Sequence, residues 1–541
     1  MWRSIRRLQR IVGSRGKKNR TNELPMRRRL GGVEHLEERR LLAIVTWDGA
    51  GDGLSWSDPS NWVGGALPGP GDDVVIPDVT ATSLVKFDSS AGDLQLNSLS
   101  TDEDFEISSR TLTLDGASQF NADLSLLSGA LTGSGDRTIA ATFTWTGGTL
   151  SGAGDTIVET GAVMNIQGAT SHYAGTHAIR GGGTVNWTEG TITGGPLTVD
   201  VPAFQIIGNA DKYILNGTLQ NAQHAVWDGT GDLWLYYTAT LGNLAGATFQ
   251  IENDAFFRAY STGTKEFLNE GTLRKTAGTG TTSILVPFGN AGTVDVHAGT
   301  LSLSGGGRQT GTFEVAAGAD LRFSGTHDLE PGVSFSGAGT PTVYGGTTNV
   351  NAPLIAPQFA LSGGTLNVAN DLTVTNTFDW TGGTLSGAGD TIVETGAVMN
   401  IQGAASHYAG THAIRGDGTV NWTEGTITGG PLTVDVPAFR ITGNADKYIL
   451  NGTLQNAQHA VWDGTGELRL YYTATLGNLA GATFQIENDA FFRAYSTGTK
   501  EFLNEGTLRK TAGTGTTSIL VPFGNAGTVD VHAGTLSLSG G

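Results

Sequence analysis

The chain of 541 residues contains no cysteine, which excludes a disulfide framework and any thiolate-ligated zinc or iron–sulfur centre. Charged residues are scarce at 15%, against an average near ~25%. No apolar run approaches the ~18–20 residues of a membrane-spanning helix. No long 3.6-residue apolar periodicity is present, so helix is not expected. The P-loop, the Gly-x-Ser-x-Gly elbow and a Ser-His-Asp order are all missing.

What is abundant is glycine, at 82 residues, alongside a hydrophobic fraction of 38% that is too high for simple disorder. Glycine with many Thr and Ser and scattered Val, Leu, Ile and Phe predicts short strands joined by tight turns. Charge is unevenly placed. Residues 1–40 hold 13 Lys+Arg against 4 Asp+Glu, a net of +9; with −18 for the whole chain, residues 41–541 carry −27. So acidic a body repels nucleic acid and anionic membranes, and the short basic head reads as a targeting leader. Its Leu8–Val12 stretch is interrupted by Gln9 and Arg10, so it lacks a clean signal-peptide core. A twin-arginine reading at Arg6 and Arg7 is weakened by the charged Arg15, Lys17 and Lys18 that follow.

The dominant feature is a tandem duplication. Residues 142–306 map onto 377–541, 165 positions at an offset of 235, with seven differences: Thr144/Asp379, Thr170/Ala405, Gly182/Asp417, Gln205/Arg440, Ile207/Thr442, Asp232/Glu467 and Trp234/Arg469. One full unit spans 142–376. Within it Gly-Thr-apolar recurs, as at Gly148-Thr149-Leu150, Gly271-Thr272-Leu273 and Gly299-Thr300-Leu301. Alternation in the intervening strings pairs Val294 with Val296, Leu301 with Leu303, Phe313 with Val315, Leu321 with Phe323 and Phe249 with Ile251. Successive strand side chains point to opposite faces, so these are half-buried strands, with glycine at corners that need positive φ.

The predicted fold is all-β: a parallel β-helix (β-solenoid), with a β-sandwich array as its rival. The predicted divisions are a basic leader (1–43), a small Trp-rich module or N-terminal cap (44–85) carrying Trp47, Trp56 and Trp62, first solenoid rungs (86–141), repeat unit 1 (142–376) and an incomplete repeat unit 2 (377–541). Rungs of roughly 20 residues over 86–541 predict about 20 turns and a rod on the order of 100 Å at the ~4.8 Å strand spacing. The incomplete second unit predicts a longer reading frame and end-to-end self-association through unpaired strand edges.

Four stretches resemble known proteins. Leu36-Glu37-Glu38-Arg39-Arg40-Leu41-Leu42-Ala43, behind the basic leader, resembles the LEPR-XLL motif of very large bacterial surface and adhesin-like proteins, with Glu38 where that family has proline. Residues 47–76, with Ser55-Trp56-Ser57-Asp58-Pro59-Ser60-Asn61-Trp62, resemble Trp-rich modules that precede β-strand repeats in autotransporter-like and adhesin-like proteins. Asn269-Glu270-Gly271-Thr272-Leu273 and Asn290-Ala291-Gly292-Thr293-Val294 resemble rungs of filamentous-haemagglutinin-like passenger regions. The resemblance implies export and a parallel β-helix; it carries over no functional residue.

Candidate chemistry is sparse. His172 and His177, five apart, with His224, His297 and the copies His407, His412, His459 and His532, read as solvated surface histidines rather than metal ligands. Gly-x-Gly-Asp at Asp136, Asp155, Asp232 and Asp390 reads as turn chemistry, with calcium as the alternative; Asp48, Asp52, Asp72 and Asp73 form a second oxygen-rich group. Asp102-Glu103-Asp104 reads as a solvated loop, and no carboxylate pair stands out near Arg258, Lys265, Arg274 or Lys275, so no paired-carboxylate catalysis is expected. Tyr236, Tyr237, Phe256, Phe257 and Tyr260 read as core stacking, with a sugar-binding face as the alternative. The Trp234/Arg469 difference places that position in solvent, because a buried Trp does not readily become Arg. No catalytic, cofactor or metal residue is assigned. The expected function is an exported, cell-surface or secreted, adhesin-like structural protein: a rigid spacer presenting a repetitive surface to a polysaccharide or another cell. The alternative is a carbohydrate-active β-helix, either a binding module or lyase-like.

Overall fold

The structure, a computed structural model, describes residues 43–80 and 83–540. The basic leader and all but the last residue of the LEPR-XLL-like string lie outside the described residues. Among the described residues no helix is long and apolar enough to cross a membrane, and the helical content is a single 3-10 turn at Pro59–Asn61.

The alternating strings fold as expected. Asp320–Phe323 and Thr248–Ile251 are four-residue strands in which every second side chain is buried. Phe249, Ile251, Phe313, Val315, Leu321 and Phe323 are all fully enclosed. Each strand pairs in parallel with one that follows a full turn later, so the chain winds as a parallel β-solenoid of about 22 turns.

Three strands make a turn, and the stacked turns form three faces. The first face is the ladder that runs from Leu84–Phe87 through Thr142–Trp145 and Val163–Ile166 to Ser334–Gly337. The second contains Gly148–Leu150, Ser171–Ala174, Gly190–Gly194, Lys212–Leu215, Leu233–Tyr236 and Phe256–Tyr260. The third contains Thr156–Val158, His177–Gly181, Leu197–Asp200, Thr218–Asn221 and Ala239–Asn243.

Corners explain much of the glycine. Gly133 and Gly152 stack in consecutive turns with φ of 127° and 104°, where side chains are strained. A Cβ on Gly152 would also sit 2.1 Å from the Gly133 carbonyl oxygen. Corner carbonyls are neutralised from inside by buried cations. Lys275 Nζ, on a fully enclosed side chain, donates to Asn253 O at 2.7 Å, Ala277 O at 2.9 Å and Thr282 Oγ1 at 3.0 Å. Lys212 Nζ donates to Ala210 O at 2.8 Å.

A ladder of asparagines runs through one corner. Asn221 Nδ2 donates to Asn243 Oδ1 (2.8 Å), Asn243 to Asn269 (2.7 Å) and Asn269 to Asn290 (2.8 Å). Each also clips the carbonyl of a Thr that opens a first-face strand, as Asn269 does with Thr293 O at 3.0 Å. The Asn-x-Gly-Thr string is therefore one corner of a turn. Its Asn is buried, its Gly lets neighbouring turns approach, and its Thr starts the next strand. Asn456, Asn478, Asn504 and Asn525 repeat the ladder.

In the Trp-rich segment, Trp62 meets Trp47 and Trp56 edge-on at 5.0 and 4.7 Å, and Trp56 packs on Phe87 and Phe105 of the first turns. Neighbouring turns bury one another. Val296 and Leu303 are fully enclosed, whereas their copies Val531 and Leu538, in the last described turn, are 48% and 47% exposed.

Candidate functional site

The histidines depart from expectation. His172 and His177 are buried rather than solvated, and so are His407 and His412. Gly175 lies in the bend between strands Ser171–Ala174 and His177–Gly181, so the two rings sit on different faces. His172 Nε2 donates to Trp145 O and Gln167 O, each 3.0 Å away, and its ring meets Trp145 edge-on at 5.1 Å. His177 Nε2 lies 2.9 Å from Thr156 Oγ1. Burial, helped by the Arg137 guanidinium, pushes the His177 pKa from 6.5 down to about 4. Burial also lowers His172, His327, His407 and His412. Their place at every second position of short strands was the available sequence signal, but histidine ordinarily reads as polar. His297 is half exposed and lies 2.7 Å from Asp295.

The aspartates are occupied by protein donors. Asp155 N donates to Asp136 Oδ1, Asp232 N to Asp211 and Asp390 N to Asp371, at 2.9, 2.9 and 3.0 Å; each carboxylate caps the next turn. Asp52 accepts from Leu54 N, Ser55 N, Ser55 Oγ and Asn61 Nδ2, and these hydrogen bonds, led by Ser55, hold its carboxyl well below the usual range. Asp73 accepts from Asn97 and Ser98. Glu103 is buried rather than part of a solvated loop, with Val79 N donating to Oε1 at 2.6 Å. Among the described residues no three His, Asp or Glu side chains converge as a metal site.

Three of the four cations, Arg258, Arg274 and Lys275, each pair with a single carboxylate across turns, while Lys265 donates to backbone carbonyls. Arg258 meets Asp232 at 2.6 Å, Arg274 meets Asp295 at 2.8 Å and Lys275 meets Asp254 at 3.0 Å. These partners are a turn apart in sequence, a separation that local spacing does not reveal.

The aromatic reading also changes. Phe257 alone of the five belongs to the core; Tyr237, Phe256 and Tyr260 are exposed, at 46%, 39% and 63%. They belong to a platform on the second face with two columns of outward side chains. One column is Tyr213, Trp234 and Arg258; the other is Leu215, Tyr236 and Tyr260, in register across three strands. Tyr213 stacks on Trp234 with centroids 6.5 Å apart and planes 22° apart, and Tyr236 lies 5.4 Å from Tyr260. Arg258 covers Phe256 at 4.1 Å and Trp234 at 5.3 Å. Trp234 Nε1 donates to Asp211 at 3.1 Å. Burial, then the Asp211 charge, raises the Tyr213 pKa. Tyr237 holds φ of 56° and donates its amide to Ser261 Oγ, itself on a residue with φ of 76°. Such backbone costs of order 1–3 kcal/mol per residue and concentrates where a surface is shaped for use.

The second unit rebuilds the platform with Tyr448, Arg469, Tyr471, Arg493 and Tyr495. Position 234/469 faces outward in both copies, as the substitution implied. Arg469 meets Asp446 at 2.6 Å and Glu467 at 2.9 Å, while Arg493 takes the other Glu467 oxygen at 3.1 Å. The longer Glu467 thus holds two guanidiniums where Asp232 holds one. Tyr471 and Tyr495 stack at 5.1 Å and 17°.

These groups support non-covalent recognition: outward aromatic rings, with the neighbouring carboxylates and guanidiniums already paired. A depression of about 390 Å³ on the third face is lined by Asp155, His177, Arg180 and Thr198. There Arg180 closes on Asp155 at 3.1 Å, and the His177 ring is engaged inward with Thr156. No protein-family model matches the chain, and neither a curated protein nor a solved structure resembles it significantly.

Proposed function

We propose that this chain is an exported, adhesin-like structural protein, held at the cell surface or secreted. Its solenoid serves as a stiff spacer, and its platforms contact polysaccharide or another cell surface. The observation that carries this reading is the duplicated outward platform. Solvent-facing rings gain little for the fold, yet both units keep them in register on a rigid ladder. Aromatic faces exposed on a regular scaffold suit stacking recognition. The acidic body and the leader's resemblance to surface proteins support export. The paired charges and neutral buried histidines favour a non-enzymatic role.

A glycan-array and cell-adhesion screen tests the contact surface, comparing the native chain with Tyr236→Ala/Tyr260→Ala/Tyr471→Ala/Tyr495→Ala. Binding that falls at least tenfold in a folded variant is expected; unchanged adhesion removes the platforms from the function. Deleting residues 1–43 should strand the protein inside its cell, and normal secretion without them ends the export reading.

A further inference from the structure

The duplication and the coil do not share a period. From Thr142–Trp145 to its copy at 377–380 the chain passes through thirty-four strand segments, three to a turn. One unit therefore advances eleven and one-third turns. The ladders show the same offset directly. Thr142–Trp145 belongs to the first face, but residues 377–380 pair with 358–361, which continue the second-face ladder from Gly148–Leu150 through Thr340–Val343. Likewise Thr347–Val350 and Thr365–Val368 carry the third face into Gly383–Ser386, the copy of a second-face strand. Every element of the second unit stands one face on from its original. Tyr213, Trp234 and Tyr260 occupy the second face. Tyr448, Arg469 and Tyr495 occupy the ladder that carries His177 and Asn221 in the first unit.

From this we infer that the two platforms are separate binding sites for an uncharged, linear polysaccharide, and that their different facing makes the protein a bridge between two glycan strands. The inference rests on the contact function proposed above. The outward rings at successive turns, ~4.8 Å apart, Tyr213, Trp234, Tyr236 and Tyr260 in the first platform and Tyr448, Tyr471 and Tyr495 in the second, offer an aromatic track for consecutive sugar rings. Charge selects the uncharged class. Arg258 is held by Asp232, and Arg469 and Arg493 by Asp446 and Glu467. The surrounding body is strongly acidic and disfavours a uronate or sulfate, and the lysines beside the platforms, Lys265 and Lys500, donate to the backbone carbonyls of their own loops. Eleven and one-third turns separate the sites by about 54 Å along the axis, and one straight strand cannot lie on both faces.

The absence of native cysteine allows a ligand-free test of geometry. Thr262→Cys and Thr497→Cys, at equivalent exposed positions beside the two platforms, are biotinylated and marked with streptavidin for negative-stain imaging of the full chain. Markers leaving different sides of the rod, about 54 Å apart along it, are expected; markers on one side overturn the inference. Bridging is read by light scattering with soluble hydroxyethyl cellulose, using polygalacturonate as the anionic control. The native chain should cross-link hydroxyethyl cellulose. Tyr236→Ala/Tyr260→Ala and Tyr471→Ala/Tyr495→Ala should each still bind, yet lose at least tenfold of the scattering. Binding without cross-linking by the native chain overturns the bridge but leaves the contact function standing. Preference for polygalacturonate overturns the uncharged class. No binding to either polymer, with adhesion to cells also absent, overturns the contact function itself.

Discussion

The two copies of the repeat unit are alike inside and unlike outside. The asparagine ladder, the enclosed lysines and the buried His172 and His177 recur unchanged in sequence, whereas Asp232/Glu467 and Trp234/Arg469 fall together in the outward platform. The pair teaches how a solenoid tolerates change. An interior side chain touches the turns above and below and is constrained by both. An outward one needs only a local partner, and Glu467 supplies it for the new arginine.

Acid should produce the largest effect on this comparison. A buried imidazole with a lowered pKa stays neutral while the unfolded chain takes up its proton near 6.5. Stability is thus intact above that pH and falls between 6.5 and about 4 for His177. That shift alone corresponds to about 3 kcal/mol, with His172, His327, His407 and His412 adding in the same direction. Thermal melts across this window should show a steep loss, and a flat profile would mean that the rings are hydrated. The copies should also differ. His177 faces the buried Arg137, whereas residue 372, at the equivalent position beside His412, is Leu. NMR titration should find His177 titrating below His412, with Arg137→Leu closing the gap.

Next in size is the asparagine ladder. Asn243→Leu leaves the Asn269 Oδ1 and Thr272 O acceptors without their donor, a cost of about 3 kcal/mol. Asn478→Leu should cost the same in denaturant unfolding, and a twofold disparity would break the equivalence of the interiors. Smaller again is conversion of the first platform into the second. Asp232→Glu/Trp234→Arg should weaken binding of hydroxyethyl cellulose by roughly three- to tenfold, on the ~0.5–1.5 kcal/mol scale of one aromatic contact, without moving the melting temperature. Asp232→Glu alone should change either quantity least, within about 0.5 kcal/mol, since Glu still reaches Arg258. A large loss from it would show that the exchange at 234 had to come first.

The fold was legible because alternation survives translation: Leu321 and Phe323, or Phe249 and Ile251, lie on one strand and need no distant partner to be read. The corners were half legible, in that Asn-x-Gly-Thr recurred without revealing that its Asn points inward. The site was mostly illegible. Tyr213, Trp234 and Tyr260 are 21 and 26 residues apart and meet only when turns stack, and the same holds for Arg258 with Asp232. Histidine misled because its polarity suggested solvent, whereas backbone carbonyls satisfied it within the wall.

The winding also has a mechanical side. About 21 residues are stored in each turn, a contour of about 70 Å when extended, behind an axial rise of only ~4.8 Å. Traction on the two ends of the coil peels strands off one turn at a time, because the bonds holding a turn are loaded in sequence rather than together. A force–extension trace should then show a long series of small steps, each releasing about 70 Å of chain. Such a rod resists bending while it yields gradually to tension, lengthening under load instead of giving way at once.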